Sequence, residues 1–273
     1  MRGYVRDPMR TARRLARFVL LPVLRPRRLD VCCCGLSKTG THSMAGIFEN
    51  YRSMHHPDQD LRLPLAIACL KGDLDERQAR STLWRRDRSL WLEMESSSLG
   101  GILIEPLARA CPRKKFILTV RDPVGWCDSW IDHQINRPPD LTSLWGTLDR
   151  VRLRAGAFAP SKFDAPLTDR GFLPLPCYFQ LWSSHNERVL RAVEPSRLLV
   201  VKTDEIAKRI PEIAAWADIP ADSLRSDRSW LFAAPQKHGV VAEVDPGYLR
   251  DTAEEHCGAL MRRFALAPAA GRG

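Results

Sequence analysis

Apolar and polar positions along the chain follow two periods. Leu29–Cys34, Lys115–Val120 ("KFILTV") and Leu198–Lys202 ("LLVVK") are short apolar runs that read as buried strands. Met44, Ile47, Phe48 and Tyr51 recur at i, i+3, i+4 and i+7, which predicts a helix over His42–Tyr51. Leu90, Leu92 and Met94 alternate with Trp91, Glu93 and Glu95, which predicts a strand over Leu90–Glu95. Further helices are expected over Leu99–Ala110, ended by Cys111-Pro112, and over Val124–Ile135, Cys177–Val193 and Pro211–Ala217. A loop and a closing helix are expected within Gln236–Leu266. Leu61–Arg88 reads as helical in part, without clear bounds. Arg137–Gly171, rich in Pro, Arg and Asp, reads as irregular or partly helical and as a candidate substrate lid. Strands alternating with helices predict an α/β fold in three layers, a central, mainly parallel sheet flanked by helices. Ligands bind such sheets at the carboxyl ends of the strands, which directs attention to the residues after Cys34, Met94, Val120 and Val201.

Composition adds a size and a charge. The 273 residues, 44% of them hydrophobic, suffice for one substantial core. We divide the chain into a basic segment (1–28), one domain (29–266) and a short tail (267–273). The net charge of +10 favours anionic partners: phosphate- or sulfate-bearing ligands, a membrane surface or nucleic acid. No basic motif with interleaved aromatics supports nucleic acid, which is not expected as a partner. Part of the positive excess precedes residue 29, around "LARFVLLPVL" (Leu15–Leu24). That stretch is too short to span a bilayer, is interrupted by Pro22, and lacks a small-x-small cleavage site after it. Met9–Leu24 is expected to be a basic amphipathic helix that packs on the domain or rests on an anionic membrane. The eight cysteines form no C-x-x-C and no zinc spacing. Cys32, Cys33 and Cys34 must point to alternating faces of a strand, so they cannot chelate one ion. No metal site is expected, and a cytoplasmic location, with peripheral membrane contact through the basic N-terminus, is the expectation.

Two stretches carry chemistry. The first is Gly35-Leu36-Ser37-Lys38-Thr39-Gly40-Thr41-His42-Ser43, between a strand and a helix. Amides in such a turn converge on one spot, Gly35 and Gly40 allow close approach, and Lys38 supplies a full charge. Thr39, Thr41 and Ser43 offer hydroxyls. The nucleotide loop G-x-x-x-x-G-K-[ST] has its lysine after the second glycine, whereas Lys38 precedes Gly40. The second stretch is "ILTVRDPVGWCDSW". Arg121 ends a strand, Asp122 and Pro123 suit an N-cap and first helical position, and Ser129 follows on that helix. A guanidinium and a hydroxyl on adjacent elements make a second phosphate pocket.

"KTGT" after the first strand, followed by "KFILTVRDPxxWxxSW", resembles the sulfotransferases that use 3′-phosphoadenosine 5′-phosphosulfate (PAPS). The resemblance spans loosely Leu29 to Leu266 and implies a P-loop-like fold. It implies that Lys38, Thr39, Gly40, Thr41 and Ser43, with Ser37 and His42 in the same loop, hold the 5′-phosphosulfate, and that Arg121 and Ser129 hold the 3′-phosphate. Lys237 and Gly239 of "PQKHG" match a basic loop that closes over the adenine and 3′-phosphate. His42 departs from the Thr or Ser common in that loop, though its imidazole can still donate to an anion. "SWIDHQ" (Ser129–Gln134) is similar to a segment of glycosaminoglycan N-sulfotransferases, and the Trp126 spacing to a microbial branch.

By that likeness the reaction is in-line transfer of a sulfuryl group to a hydroxyl or amine of a carbohydrate, lipid or small-molecule acceptor, without a metal. Lys38 would stabilise the leaving phosphate. Glu95 resembles the glutamate of the "EKS" segment of the N-sulfotransferases and is the first candidate for the base, Glu93 the second and His133 the third. His55-His56 has no argument of spacing behind it. Acceptor contacts are expected from Met54–Ser89 and Arg137–Gly171. Two other readings stay open. A P-loop kinase or NTPase would need the lysine moved and an acidic Mg²⁺ ligand after a later strand. A non-catalytic nucleotide-binding relative would bind without turnover.

Overall fold

Five short strands form one parallel sheet in the order β2-β3-β1-β4-β5. They are β1 (Val31–Cys33), β2 (Ser53–His55), β3 (Met94–Ser96), β4 (Lys115–Val120) and β5 (Leu198–Lys202). The computed structural model describes residues 24–231 and 235–266. The helix expected over Met9–Leu24 therefore lies outside the described residues except for Leu24, and so does the tail from residue 267.

The strands' period of two builds the layers. Cys32 and Cys34 face one hydrophobic cluster and Cys33 the other, and Phe116, Leu118 and Val120 divide from Ile117 in the same way. The smaller cluster is closed by α1 (Thr41–Ile47) and α10 (Ile210–Ala217), through Met44, Ile47, Ile210 and Ile213. Residues of α2 (Gln59–Lys71), α3 (Glu76–Leu90), α4 (Ser98–Ile102), α5 (Ile104–Ala110) and α6 (Pro123–Asn136) enter the larger one. Residues of α7 (Leu144–Arg152), α8 (Ala165–Thr168), α9 (Leu175–Ala192) and α11 (Pro246–Arg263) join them there. The result is the expected three-layer α/β fold. No helix among the described residues is long and apolar enough to cross a membrane.

Several boundaries differ from the sequence reading. The strand expected over Leu90–Glu95 begins only at Met94, where β1 offers pairing partners, and α3 occupies the chain as far as Leu90. Ala79, Leu83 and Arg86 give α3 a buried stripe at helical spacing, and three alternating pairs do not outweigh it. Strand β2 was not expected, because three residues of mixed polarity leave no period to read. The helix expected to reach Tyr51 stops at Ile47. The helix expected over Leu99–Ala110 is two, broken at Leu103. Pro106 has no amide for the Ile102 carbonyl, which accepts instead from Arg188 Nη1 at 3.4 Å. The segment Arg137–Gly171 agrees with its reading, being partly helical through α7 and α8.

One polar cluster lies inside the larger layer. Glu95 is buried between Arg62 of α2 and Arg86 of α3. Each guanidinium takes one carboxylate oxygen, and the Arg86 Nη1 contact is 2.7 Å. Burial alone would push the Glu95 carboxyl up, but Arg62 and Arg86 outweigh it and hold it down to about 2. Arg86 also donates to the Pro57 carbonyl at 3.3 Å, so the cluster ties the turn after β2 to β3. Glu95→Ala would leave two buried guanidinium groups facing each other and should cost about 3–5 kcal/mol in urea denaturation. Because the folded pKa lies below the ordinary 4.5, this contribution is present above pH 4.5 and lost as pH falls toward 2. Glu95→Gln should flatten that acid limb in a pH series of urea midpoints, and an unchanged limb would show that another carboxylate carries it.

Candidate active site

Strands β1 and β4 are neighbours, yet the chain leaves them toward opposite faces of the sheet. After β1 it enters α1 in the smaller layer, and after β4 it enters α6, whose Trp126, Trp130 and Ile131 lie in the larger. Such a reversal opens a crevice at the strands' carboxyl ends. Gly35–Gly40 lines one side, and Arg121–Pro123 the other.

The two sides are fastened together. Thr39 Oγ1 donates to the Leu36 carbonyl at 2.7 Å and lies 2.8 Å from Thr119 Oγ1 on β4. Trp126 Nε1 donates to the Ser37 carbonyl at 2.9 Å. Thr203 Oγ1 contacts the carbonyls of Thr39 (2.8 Å) and Val120 (3.0 Å). A Cβ on Gly35 would stand 2.1 Å from Thr119 Oγ1, so the crossing admits only glycine.

Lys38 (φ 71°) and Gly40 (φ 91°) turn the loop through left-handed backbone into α1. Like α2, α5, α8, α9 and α10, helix α1 has no side-chain cap; it starts at Gly40. Its first helical bond runs from the Met44 amide to the Gly40 carbonyl. The amides of Thr41, His42 and Ser43 therefore look out of the helix start, where an anion complements them.

Cations gather around this turn. Burial lowers the Lys38 pKa, and the charges of Arg121 and Arg137 lower it further, opposed by Asp132. Arg121 and Lys38 come from the two predicted motifs. Arg137, just past α6, lay in the presumed lid and carried no motif. The loop 235–239 docks on the same helix: Asn136 Nδ2 donates to the Gln236 carbonyl (2.8 Å) and the His238 amide to Asp132 Oδ1 (2.8 Å). Lys237 and Arg121 both act on the charge of Asp128, one residue before Ser129. The structure thus brings Lys38, Arg121 and the Lys237–Gly239 loop to one end of the sheet, with Ser129 next to Asp128 on α6.

Not every expected contact survives. Thr39 is buried, and both its hydroxyl and its amide turn inward to the Leu36 carbonyl, so it stabilises the loop rather than reaching a ligand. Ser37 donates its hydroxyl to Ser98 at 3.1 Å. Ser43 Oγ accepts from the Leu231 amide (2.9 Å), which leaves its proton for an anion. The geometry does not favour Glu95 as a base, since both its oxygens are taken by arginines and its carboxyl is held down to about 2. Glu93 fares no better. It lies ahead of β3, at the opposite end of the sheet, and binds the amides of Arg28 (2.9 Å) and Arg52 (3.0 Å). Burial would raise the Glu93 carboxyl, but the hydrogen bonds from Arg28 and Arg52 hold it below its ordinary range.

Histidines stand there instead. His42 stacks on His55, with ring centroids 3.6 Å apart, and His56 meets His55 edge-on at 4.2 Å. His55 Nε2 lies 3.2 Å from Thr41 Oγ1, and His56 Nδ1 lies 2.8 Å from Ser97 Oγ. Burial, then Lys38, Arg137 and His133, hold the His42 imidazole down to about 4. Burial and the neighbouring imidazoles hold His55 down to about 3. Burial, Arg62 and His42 do the same for His56. Burial, Lys38 and Arg137 also lower His133. All four rings are neutral at neutral pH. The pair His55-His56 was legible only as a doublet, and strand β2 is what carries it to the loop.

The model of the sulfotransferase domain family matches residues 30–206. This chain belongs to the sulfotransferase family. The match runs from the start of β1 past the end of β5 and includes both cationic motifs. Among solved structures, this sulfotransferase is similar to sulfotransferase STF9 from Mycobacterium avium, at 13% identity over 94% of this chain and 82% of that one, with a TM-score of 0.53. A sulfotransferase from Alicyclobacillus acidocaldarius is 14% identical over 90% of this chain and 99% of that one, with a TM-score of 0.49. No curated protein matches. Trp126→Phe keeps a ring in the core of the sulfotransferase but deletes the bond to Ser37. It should cost at least about 1 kcal/mol in urea denaturation, the worth of one hydrogen bond. An unchanged midpoint would show that the loop is held without it.

Proposed function

We propose that the enzyme transfers a sulfuryl group from PAPS to a hydroxyl or amine of a carbohydrate, lipid or small-molecule acceptor. The observation that carries this reading is the pairing of two cationic sites, Lys38 with the amides of Thr41–Ser43, and Arg121 with Ser129, across one crevice. A donor with phosphates on both the 3′ and the 5′ position of its ribose would use two such sites, whereas a nucleoside triphosphate has no use for the second. The position of Lys38 before Gly40, and of an arginine where an acidic Mg²⁺ ligand would stand after β4, weighs against a kinase.

The bound donor supplies the sulfuryl group and departs as 3′,5′-adenosine bisphosphate. Lys38 and the loop amides offset the charge that grows on the leaving phosphate. Arg121 and Ser129 hold the 3′-phosphate, and Lys237 adds charge from the loop docked on α6. The acceptor's proton goes to an imidazole. We assign that role to His42, which lies within the electrostatic reach of Lys38, Arg137 and His133, with His55 stacked on its ring and His56 beyond. Its pKa is low because the site is cationic and part-buried. An anionic donor compensates Lys38 and Arg137, so its arrival raises the imidazole's basicity when a base is needed.

Radiolabelled PAPS offered over a panel of carbohydrates, lipids and phenols tests the reading. Lys38→Ala should lower kcat by roughly 10²–10³, and Arg121→Ala should chiefly raise the donor KM. Transfer at the normal rate by Lys38→Ala, or tight binding of ATP·Mg²⁺ with none of PAPS, would overturn it. The neutral imidazole is the active form, so rate at saturating donor should fall as pH drops through the His42 pKa. His42→Asn should remove that limb and cost about 10²–10⁴ in kcat. A limb that persists in His42→Asn and vanishes in a His133 variant would move the role one residue across the site.

A further inference from the structure

The outer edge of the sheet borders a cleft apart from the crevice. Its volume is about 310 Å³, at the small end of the range for ligand sites. Strand β5 is an edge strand, hydrogen-bonded on one side to β4. The Val200 carbonyl accepts from Arg209 Nη1 at 2.6 Å, so the Val200 backbone faces outward, and the alternation of the ladder turns Leu198 and Lys202 the same way. All three line the cleft. Leu190 of α9, Val193 at its end and Phe264 just past α11 extend the apolar floor that Leu198 and Val200 begin. The rest of the lining is cationic: Lys202, Arg209 and Arg263. The Lys202 ammonium is fixed by the Ala265 carbonyl at 3.0 Å and by Glu205 at 3.4 Å, and Glu212 pairs with Arg209. Arg263 has no acidic partner among the described residues, and none of the residues lining the cleft is an acid.

We infer that this cleft binds a single-chain anionic amphiphile, an alkyl carboxylate or alkyl sulfate, with its chain on the apolar floor and its head among Lys202, Arg209 and Arg263. Charge complementarity selects the occupant. An apolar floor alone would take any hydrocarbon, and three cations alone any anion; together they select a molecule that has both parts. The guanidinium groups offer paired donors that match the oxygens of a carboxylate or sulfate. The outward amides of Val200 and Lys202, unpaired by β4, add donors at the same edge. A docking peptide strand fits less well, because Arg209 occupies the Val200 carbonyl that such a strand would need as its acceptor. The cleft shares no residue with the crevice, so the inference stands apart from the donor and from sulfuryl transfer.

Calorimetry on the full chain tests the inference with octanoate, octyl sulfate and octanol. Each anion should bind with a Kd of about 1 mM or tighter, the efficiency of an ordinary small ligand. Octanol, which has the chain without the charge, should bind at least about fivefold more weakly. Arg263→Glu should weaken both anions about fivefold, as reversal of an exposed charge implies, and leave octanol unchanged. Leu198→Trp fills the floor and should weaken all three. The melting temperature of Arg263→Glu should match that of wild type, so its loss of affinity is not a loss of fold. Absence of anion binding up to about 10 mM would overturn the inference. So would octanol binding as tightly as octanoate, or anion binding that survives both changes, as it would if the crevice held the anion.

Discussion

The contact on which the site depends is the crossing of the first loop over the end of β4. Gly35 lies against Thr119 with no room for a Cβ, and Thr39 and Thr119 share a hydroxyl contact of 2.8 Å. Because β1 and β4 are parallel neighbours, this one crossing fixes how far apart the two cationic groups stand. The Trp126 indole then locks the helix after β4 to the Ser37 carbonyl. Sites assembled from two motifs are accurate only when the motifs share a rigid border, and here the border is a few atoms wide.

Glu95 shows how position can mislead about role. It sits in the strand segment where a base was expected, yet it serves as counter-ion to two buried arginines. That service is not remote from the site. Through Arg86 and the Pro57 carbonyl, the cluster holds the turn that carries His55 and His56. His56 (φ 48°) and Asp58 (φ 51°) both adopt left-handed backbone in that turn, so the tie counters local strain. Glu95 is a positioning residue in this arrangement, and a low pKa, which keeps the counter-ion charged, suits that work and not the work of a base.

The crevice concentrates positive charge: Arg121 and Arg137 act on the half-buried Lys38, with Asp132 as the opposing acid. Such a set raises its own energy until an anion enters, which is the same property that favours binding. Part of the cost shows in His42, which burial, then Lys38 and Arg137, hold down to about 4.

The sequence by itself determined the fold class, the turn from Gly35 to Ser43 between a strand and a helix, the capped start of α6 at Asp122, and two cationic residues, Lys38 and Arg121, after neighbouring strands. These are local matters: a period, a turn, a cap, a charge next to a strand end. Tertiary structure alone decided which residues share the crevice. Strand β2 is three residues long and shows no period, so nothing in the sequence brings His55 and His56 beside a loop more than a dozen positions away. Thr39 reads as a ligand hydroxyl until its neighbour Thr119 is in place, and Arg137 reads as lid until α6 ends beside Lys38. Glu95 reads as a base until Arg62 and Arg86 close on it. In each case the deciding partner lies on another element, and side-chain chemistry depends on the partner as much as on the residue.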